Sequence, residues 1–267
     1  MLCDFHLHTS FSGDCDTEPF RQIEKAVSLG MKRLCITDHH DYDVVSECDF
    51  NLDLNSYIPA MQKLKEQYSG QIQLEIGIEL GLQCRIAGYL KELSGQYPFD
   101  FIIGSSHFID GLDPYYPSFF ENRSEKEAYG RFFEVSLKRI QTMDCFDAYG
   151  HLDYVVRYGP NQNREYHMKD YLDYIDPILK TLIDKGKGLE CNTGGFRYGL
   201  GHPNPCEEIL CRYRELGGEI ITIGSDAHST DYVGYEFDRA AALLASCGFR
   251  YYAVYHQRKP EFLPIDS

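Results

Sequence analysis

Short apolar runs alternate along this chain with segments whose apolar residues recur every three or four positions. That pattern predicts strands alternating with helices and hence a parallel sheet. Strands are predicted over residues 2–7, 33–37, 72–78, 99–105, 148–152, 188–192 and 219–224. Helices are predicted over 19–29, 56–68, 85–93, 124–143, 169–185, 205–216 and 233–246. The first helix carries Ile23, Ala26, Val27 and Leu29 at helical spacing and is closed by Gly30. The longest opens on Ser124-Glu125-Lys126-Glu127, a capping box. Residues 250–255 form an eighth strand or an edge segment. The long connections 41–55 and 109–123 are expected to be lids or substrate loops.

An open doubly wound sheet would give the same alternation, so the polar residues decide between architectures. The predicted strands end in Asp4-Phe5-His6-Leu7-His8, Thr37-Asp38-His39-His40-Asp41, Gly77-Ile78-Glu79, Gly104-Ser105-Ser106-His107, Tyr149-Gly150-His151-Leu152-Asp153, Leu189-Glu190-Cys191-Asn192 and Gly224-Ser225-Asp226-Ala227-His228. In an extended chain His6 and His8 project to the same side. Unpaired imidazoles and carboxylates are costly to bury, so a core would not place them at seven successive strand ends. A β/α barrel brings those ends to one mouth, where a metal cluster removes the penalty. Imidazole and carboxylate without thiolate suit Zn, Mn or Fe. The donors outnumber one tetrahedral site, so two or three divalent ions are implied. Such a site clamps a phosphoryl group and generates a nucleophilic hydroxide.

The bulk properties narrow the reading. A chain of 267 residues, 43% hydrophobic, suits one domain spanning residues 1–267. No apolar run approaches the roughly 20 residues of a membrane span, and the N-terminus does not resemble a secretion signal. The ten cysteines include no CxxC pair and are expected to be reduced thiols of a cytoplasmic protein. A net charge of −15 argues against nucleic acid and anionic membranes as partners, and suits a small substrate bearing a cationic group.

The set His6-x-His8, Asp38-His39, Glu79, His107, His151 and Asp226-x-His228 resembles the polymerase-and-histidinol-phosphatase (PHP) family of metal phosphoesterases. Within it the histidinol-phosphate phosphatase branch is the nearest likeness. The most specific stretches are Asn192-Thr193-Gly194-Gly195-Phe196-Arg197 and the run from Gly217 to His228, followed by Val233-Gly234. The resemblance implies a distorted (β/α)7 barrel with the metal cluster at the C-terminal ends of its strands and residues 250–255 outside the closed barrel or at its seam. It implies one ion on His6, His8, Glu79 and Asp226, a second on Glu79, His107 and His151, and a third on Asp14, His39 and His228. Asp14 stands where the broader family often has histidine. Arg157 and Arg197 are implied as phosphate contacts, and His40, Asp226 and Arg197 are candidate catalytic residues. His40 and His202 are further candidates for contact with substrate. Glu190 or Asp110 is a candidate partner for a substrate amine, and Glu190 equally a support for the metals. The implied reaction is hydrolysis of L-histidinol phosphate in histidine biosynthesis by a metal-bridged hydroxide. Alternatives at this level are a phosphatase acting on a nucleotide or phosphotyrosine, a nuclease-like trimming enzyme and a silent metal- or phosphate-binding module. Amidohydrolase chemistry commonly uses a carbamylated lysine, and no lysine stands at these strand ends.

Overall fold

The computed structural model describes residues 3–265; Leu2, the first residue of the strand predicted at 2–7, lies outside them. The sheet is built from β1 (Arg33–Ile36), β2 (His39–His40), β3 (Gln73–Gly81), β4 (Phe101–Ser105), β5 (Ala148–Tyr149), β6 (Gly188–Asn192) and β7 (Ile221–Gly224). These strands pair in parallel in the order β1-β3-β4-β5-β6-β7, and β2 also pairs with β3. The N-terminal segment closes the ring. On one side Cys35 N–H donates to Asp4 O (2.9 Å) and Thr37 N–H to Leu7 O (3.0 Å). On the other, Phe5 N–H donates to Ile223 O (3.0 Å), Asp226 N–H to His6 O (2.7 Å) and His8 N–H to Ala227 O (2.9 Å). It therefore occupies a stave's position but makes isolated bridges rather than a continuous ladder. The result is the distorted barrel that the family resemblance implied.

The helices α1 (Pro19–Ser28), α2 (Leu54–Gln67), α3 (Ala87–Gln96), α4 (Glu125–Thr142), α5 (Leu172–Asp184), the single turn α6 (Gly194–Arg197), α7 (Glu207–Glu215) and α8 (Phe237–Ser246) follow the strands. Local chemistry sets their ends. Pro19 opens α1, and Gly30 takes the left-handed conformation (φ 79°) that lets the chain leave it. Ser124 and Glu127 exchange bonds across the start of α4, with Ser124 N–H donating to Glu127 Oε2 (2.8 Å) and Glu127 N–H to Ser124 Oγ (3.3 Å). The helix predicted at 233–246 starts only at Phe237, because Glu236 adopts φ 57° and a separate turn occupies Thr230–Tyr232. The turn α6 is too short to leave a periodic signal in the sequence.

Residues 250–255 do lie outside the ring. β8 (Tyr251–His256) pairs antiparallel with β9 (Lys259–Pro264), a strand the sequence pattern does not reveal. This hairpin docks on the end of the barrel opposite the histidines. Tyr252 OH accepts from Cys3 N–H (3.1 Å), Gln257 N–H donates to Asp100 Oδ1 (3.1 Å), and Arg258 pairs with Asp147. Asp100 and Asp147 immediately precede β4 and β5, so the hairpin covers the N-terminal ends of the strands. Glu75, Asp100 and His256 converge there, but Lys65 Nζ already donates to Glu75 Oε2 (3.0 Å) and Asp100 Oδ2 (2.7 Å), in the place a metal would take.

The expectation of ten reduced thiols is corrected. The sulfurs of Cys211 on α7 and Cys247 just after α8 are bonded, with their Cα atoms 4.6 Å apart. Packing of α7 against α8 joins residues 36 apart in sequence, which linear spacing does not show. The other eight cysteines are free. Among the described residues, no helix is long and apolar enough to cross a membrane.

Candidate metal centre

Extended geometry in the N-terminal segment buries Phe5 and Leu7 in the core and turns His6 and His8 together toward the mouth. The register of β2 against β3 sets His39 directly beside Glu79. Gly224 is required by the same convergence, because a Cβ there would collide with the side chain of His6.

Glu79 is the hub. Its Oε1 lies 2.9 Å from His151 Nε2 and 3.2 Å from His107 Nε2. Its Oε2 lies 3.3 Å from His6 Nε2, 3.6 Å from His8 Nε2 and 2.8 Å from His39 Nδ1. Asp226 Oδ1 is 3.4 Å from His8 Nε2 and 3.8 Å from His6 Nε2. Asp14 Oδ2 is 3.2 Å from His228 Nε2 and 3.7 Å from His39 Nε2. The His8 ring stacks between those of His39 and His228, at 4.1 and 4.2 Å. The nine predicted metal ligands thus form one cluster, with five histidines around Glu79 and with Asp226, Asp14 and His228 joined to it through those histidines.

The arrangement fits cations better than hydrogen bonds. Glu79 Oε2 and His39 Nδ1 are buried, yet neither has a hydrogen-bond partner of proper geometry. His6 Nε2 and His8 Nε2 stand 3.1 Å apart. The outer nitrogens explain why these atoms can be free lone pairs. His6 Nδ1 donates to Glu190 Oε1 (2.6 Å), and His107 Nδ1 to Asp41 Oδ2 (3.0 Å). His8 Nδ1 donates to Ser12 Oγ (3.2 Å), whose own proton goes to Asp38 Oδ1 (2.7 Å). In each case a proton held on Nδ1 would leave Nε2 facing the centre, the tautomer a metal ligand needs. Ser105 Oγ donates to Glu79 Oε1 (2.6 Å), and the His151 N–H to Glu190 Oε2 (2.8 Å).

The electrostatics show how strongly the centre draws positive charge: burial opposes it, but Glu190 and Glu79 push His6, and Asp41 and Glu79 push His107, well above the usual imidazole range. Burial works against ionisation of Glu79, but the imidazoles of His6, His107 and His39 prevail and hold its carboxyl well below the usual range. Burial also opposes charge on Asp226, and Arg157 with His6 overrides it in the same direction. Burial pulls His8 well down, and the imidazoles of His39 and His228 add to the effect, which keeps it neutral. Burial pulls His39 down too, but Glu79 and Asp14 lift it to about 9.

Above the cluster opens a cavity of about 390 Å³, the size of a small-molecule site. Arg157 and Arg197 line it, as expected. Arg157 is buried, with Nη1 donating to Asp226 Oδ2 (2.9 Å), Nη2 to Asn192 Oδ1 (2.8 Å) and Nε to Asn204 Oδ1 (2.7 Å). That leaves two of its five N–H groups for a ligand. Arg197 lies over the rings of Tyr198 and Tyr232, with no carboxylate partner among the described residues.

Other candidates are corrected. His40 does not reach the cavity: it follows His39 on an extended strand and therefore points the other way, where its Nε2 meets Tyr89 OH at 2.9 Å. His202 is outside the lining, with Nδ1 bonded to Pro203 O (2.6 Å). Glu190 is buried behind the cluster and spent on His6 and His151, so it supports ligands and is not available to an amine. Asp110 forms a two-pronged pair with Arg131 at 2.8 Å on each prong, away from the mouth. Sequence reasoning missed Ser12, Asp41, Ser105, Asn192 and Asn204, which orient the ligands and Arg157. Asp41, Ser105 and Asn192 stand within the strand ends quoted above, which was their signal; Ser12 and Asn204 offered none. It also missed Asp113 and the tyrosines of the cavity wall.

Comparison with known proteins agrees with this geometry. A model of the PHP domain matches residues 4–194. The chain is 29% identical over 262 residues to the histidinol-phosphatase of Lactococcus lactis, covering 96% of this chain and 95% of the relative. It is 31% identical over 256 residues to a probable histidinol-phosphatase of Clostridium acetobutylicum, covering 94% and 95%. The crystal structure of the histidinol phosphate phosphatase of Lactococcus lactis, complexed with zinc, L-histidinol and phosphate, superposes with a TM-score of 0.90 at 28% identity over 97% of this chain and 98% of that one.

Proposed function

The chain belongs to the PHP-domain family, and from that premise we propose that it is a histidinol-phosphatase, hydrolysing L-histidinol phosphate to L-histidinol and phosphate in histidine biosynthesis. The observation that carries this reading is the gathering of six histidines with Glu79, Asp226 and Asp14 at a cavity lined by two arginines. Near full-length likeness to histidinol-phosphatases supports the substrate.

Two or three divalent ions, zinc among them, would sit here. His6, His8, Glu79 and Asp226 would hold one, Glu79, His107 and His151 a second, and Asp14, His39 and His228 a third. When bound, the ions supply Lewis acidity and an activated water nucleophile. The protein does the rest. Glu79 and Asp226, kept ionised, hold the cluster's negative charge in place. Asp41, Glu190 and Ser12 fix which imidazole nitrogen faces inward. Arg197 and the two spare N–H groups of Arg157 bind the phosphoryl oxygens and stabilise the charge that grows on them during in-line displacement. Tyr154, Tyr158 and Tyr198 wall the cavity and limit water. We place the activity in the cytoplasm, the compartment that eight free cysteines, six of them buried, suit, although the Cys211–Cys247 bond is unusual there.

The test is phosphate release from L-histidinol phosphate, AMP, O-phosphotyrosine and an oligonucleotide by the purified protein, with zinc or manganese and after chelation. Histidinol phosphate should be hydrolysed fastest, and chelation should abolish turnover until metal is restored. Equal or faster rates on another ester would overturn the substrate, and silence with every metal would overturn the enzyme.

A further inference from the structure

Arg157 and Arg197 line the cavity, and the two long loops predicted at 41–55 and 109–123 bring the carboxylates of Glu47 and Asp113 to the same lining. Every other carboxylate of the lining is already engaged: Asp14 by His228 and His39, Asp41 by His107, and Asp226 by Arg157. Glu47 is exposed, where water screens it; Asp113 is half-buried. Asp113 Oδ1 accepts the Tyr115 N–H at 2.8 Å, an Asx turn that fixes the carboxylate's orientation. Among the described residues no Lys, Arg or His nitrogen pairs with it.

A row of rings links Asp113 to the metal ligands. His151 packs on Tyr154 (4.9 Å between centroids), Tyr154 on Tyr158 (5.1 Å), and Tyr158 on Tyr115 (5.4 Å), two residues beyond Asp113. A substrate lying along this wall would have its phosphate at the arginines and its far end at the loop of Asp113.

Resting on the phosphatase reading above, we propose that Asp113 is the specificity-determining residue of this site, accepting the primary ammonium of an amino-alcohol phosphate. The charge-bearing loop thus selects substrates that carry a cation a few bonds from the ester, while the arginines and the metal-binding floor treat all phosphate monoesters alike. Water-poor surroundings strengthen such a pair relative to one in solvent.

The experiment compares L-histidinol phosphate with p-nitrophenyl phosphate, which has no ammonium, on wild type, Asp113→Asn, Asp113→Glu and Glu47→Gln. Asp113→Asn should raise KM for histidinol phosphate at least tenfold. It should leave kcat/KM for p-nitrophenyl phosphate and the metal content within about twofold. Asp113→Glu, which keeps the charge, should recover part of the loss, and Glu47→Gln should keep the wild-type preference. If wild type itself does not prefer histidinol phosphate, the functional reading falls and this inference with it. If wild type prefers it and Asp113→Asn keeps that preference, or loses both substrates in parallel, the inference alone is overturned.

Discussion

Arg157 Nη1 donates to Asp226 Oδ2 at 2.9 Å, with both side chains buried, while Asp226 Oδ1 faces His8 and His6. One carboxylate oxygen is thus saturated by the protein and the other reserved for the cluster. Asp226 holds this pose from a left-handed backbone (φ 56°), a conformation that aspartate tolerates better than most residues. Removing the guanidinium would leave the buried carboxylate of Asp226 without its charged donor and Asn204 Oδ1 without its partner, while Asn192 Oδ1 would keep only the Gly194 N–H. Arg157→Ala should cost roughly 3–5 kcal/mol of stability and lower kcat by about 100-fold or more. Arg157→Lys should fall between, because a single nitrogen cannot reach acceptors spread around three nitrogens of a planar fork. Urea titration and steady-state kinetics check both.

Arg197 makes no such internal bonds. Arg197→Ala should therefore leave metal content and unfolding midpoint unchanged, raise KM and weaken inhibition by inorganic phosphate. A charged hydrogen bond of about 1.5–3 kcal/mol corresponds to a roughly 10- to 150-fold effect. Unchanged kinetics would remove Arg197 from the site.

Gly81 lies against the carboxylate of Asp41, and a Cβ at that position would occupy the space the carboxylate fills. Asp41 is the group that orients His107. Gly81→Ala should push it aside and lower metal affinity or activity by about 10- to 100-fold, although residue 81 touches no ligand. Metal titration by calorimetry, with circular dichroism to show an intact barrel, is the measurement.

Asp4 is buried and accepts N–H bonds from Ser225 (3.0 Å), Gly234 (3.0 Å) and His6 (3.3 Å). Burial outweighs those bonds and pushes its carboxyl up to about 6. Its unfolded value is about 3.9, so the folded state binds this proton more tightly. The contribution is favourable at low pH and is lost as pH climbs from about 4 to 6. Asp4→Asn does not titrate. The stability of wild type relative to this variant should therefore fall across that window, by roughly 2–3 kcal/mol. Urea midpoints at pH 4.5, 5.5 and 6.5 would show it, and a flat difference would refute it.

The chain's own periodicity determined a good deal. Alternation is a local property, so His6 and His8 had to share a side, and parallel strands had to bring their C-terminal ends to one mouth. That much made a histidine- and carboxylate-rich cluster legible before any coordinates. The same local rule, applied one residue further, already turns His40 away from His39. What no local rule contains is who meets whom once the ring closes. The pairing of Arg157 with Asp226, the retreat of Glu190 behind His6 and His151, the docking of the hairpin beneath the barrel and the Cys211–Cys247 bond all join segments distant in sequence. Their partners are chosen by burial: a polar group removed from water takes whatever donor or acceptor packing brings within reach, and only the closed barrel decides which one that is.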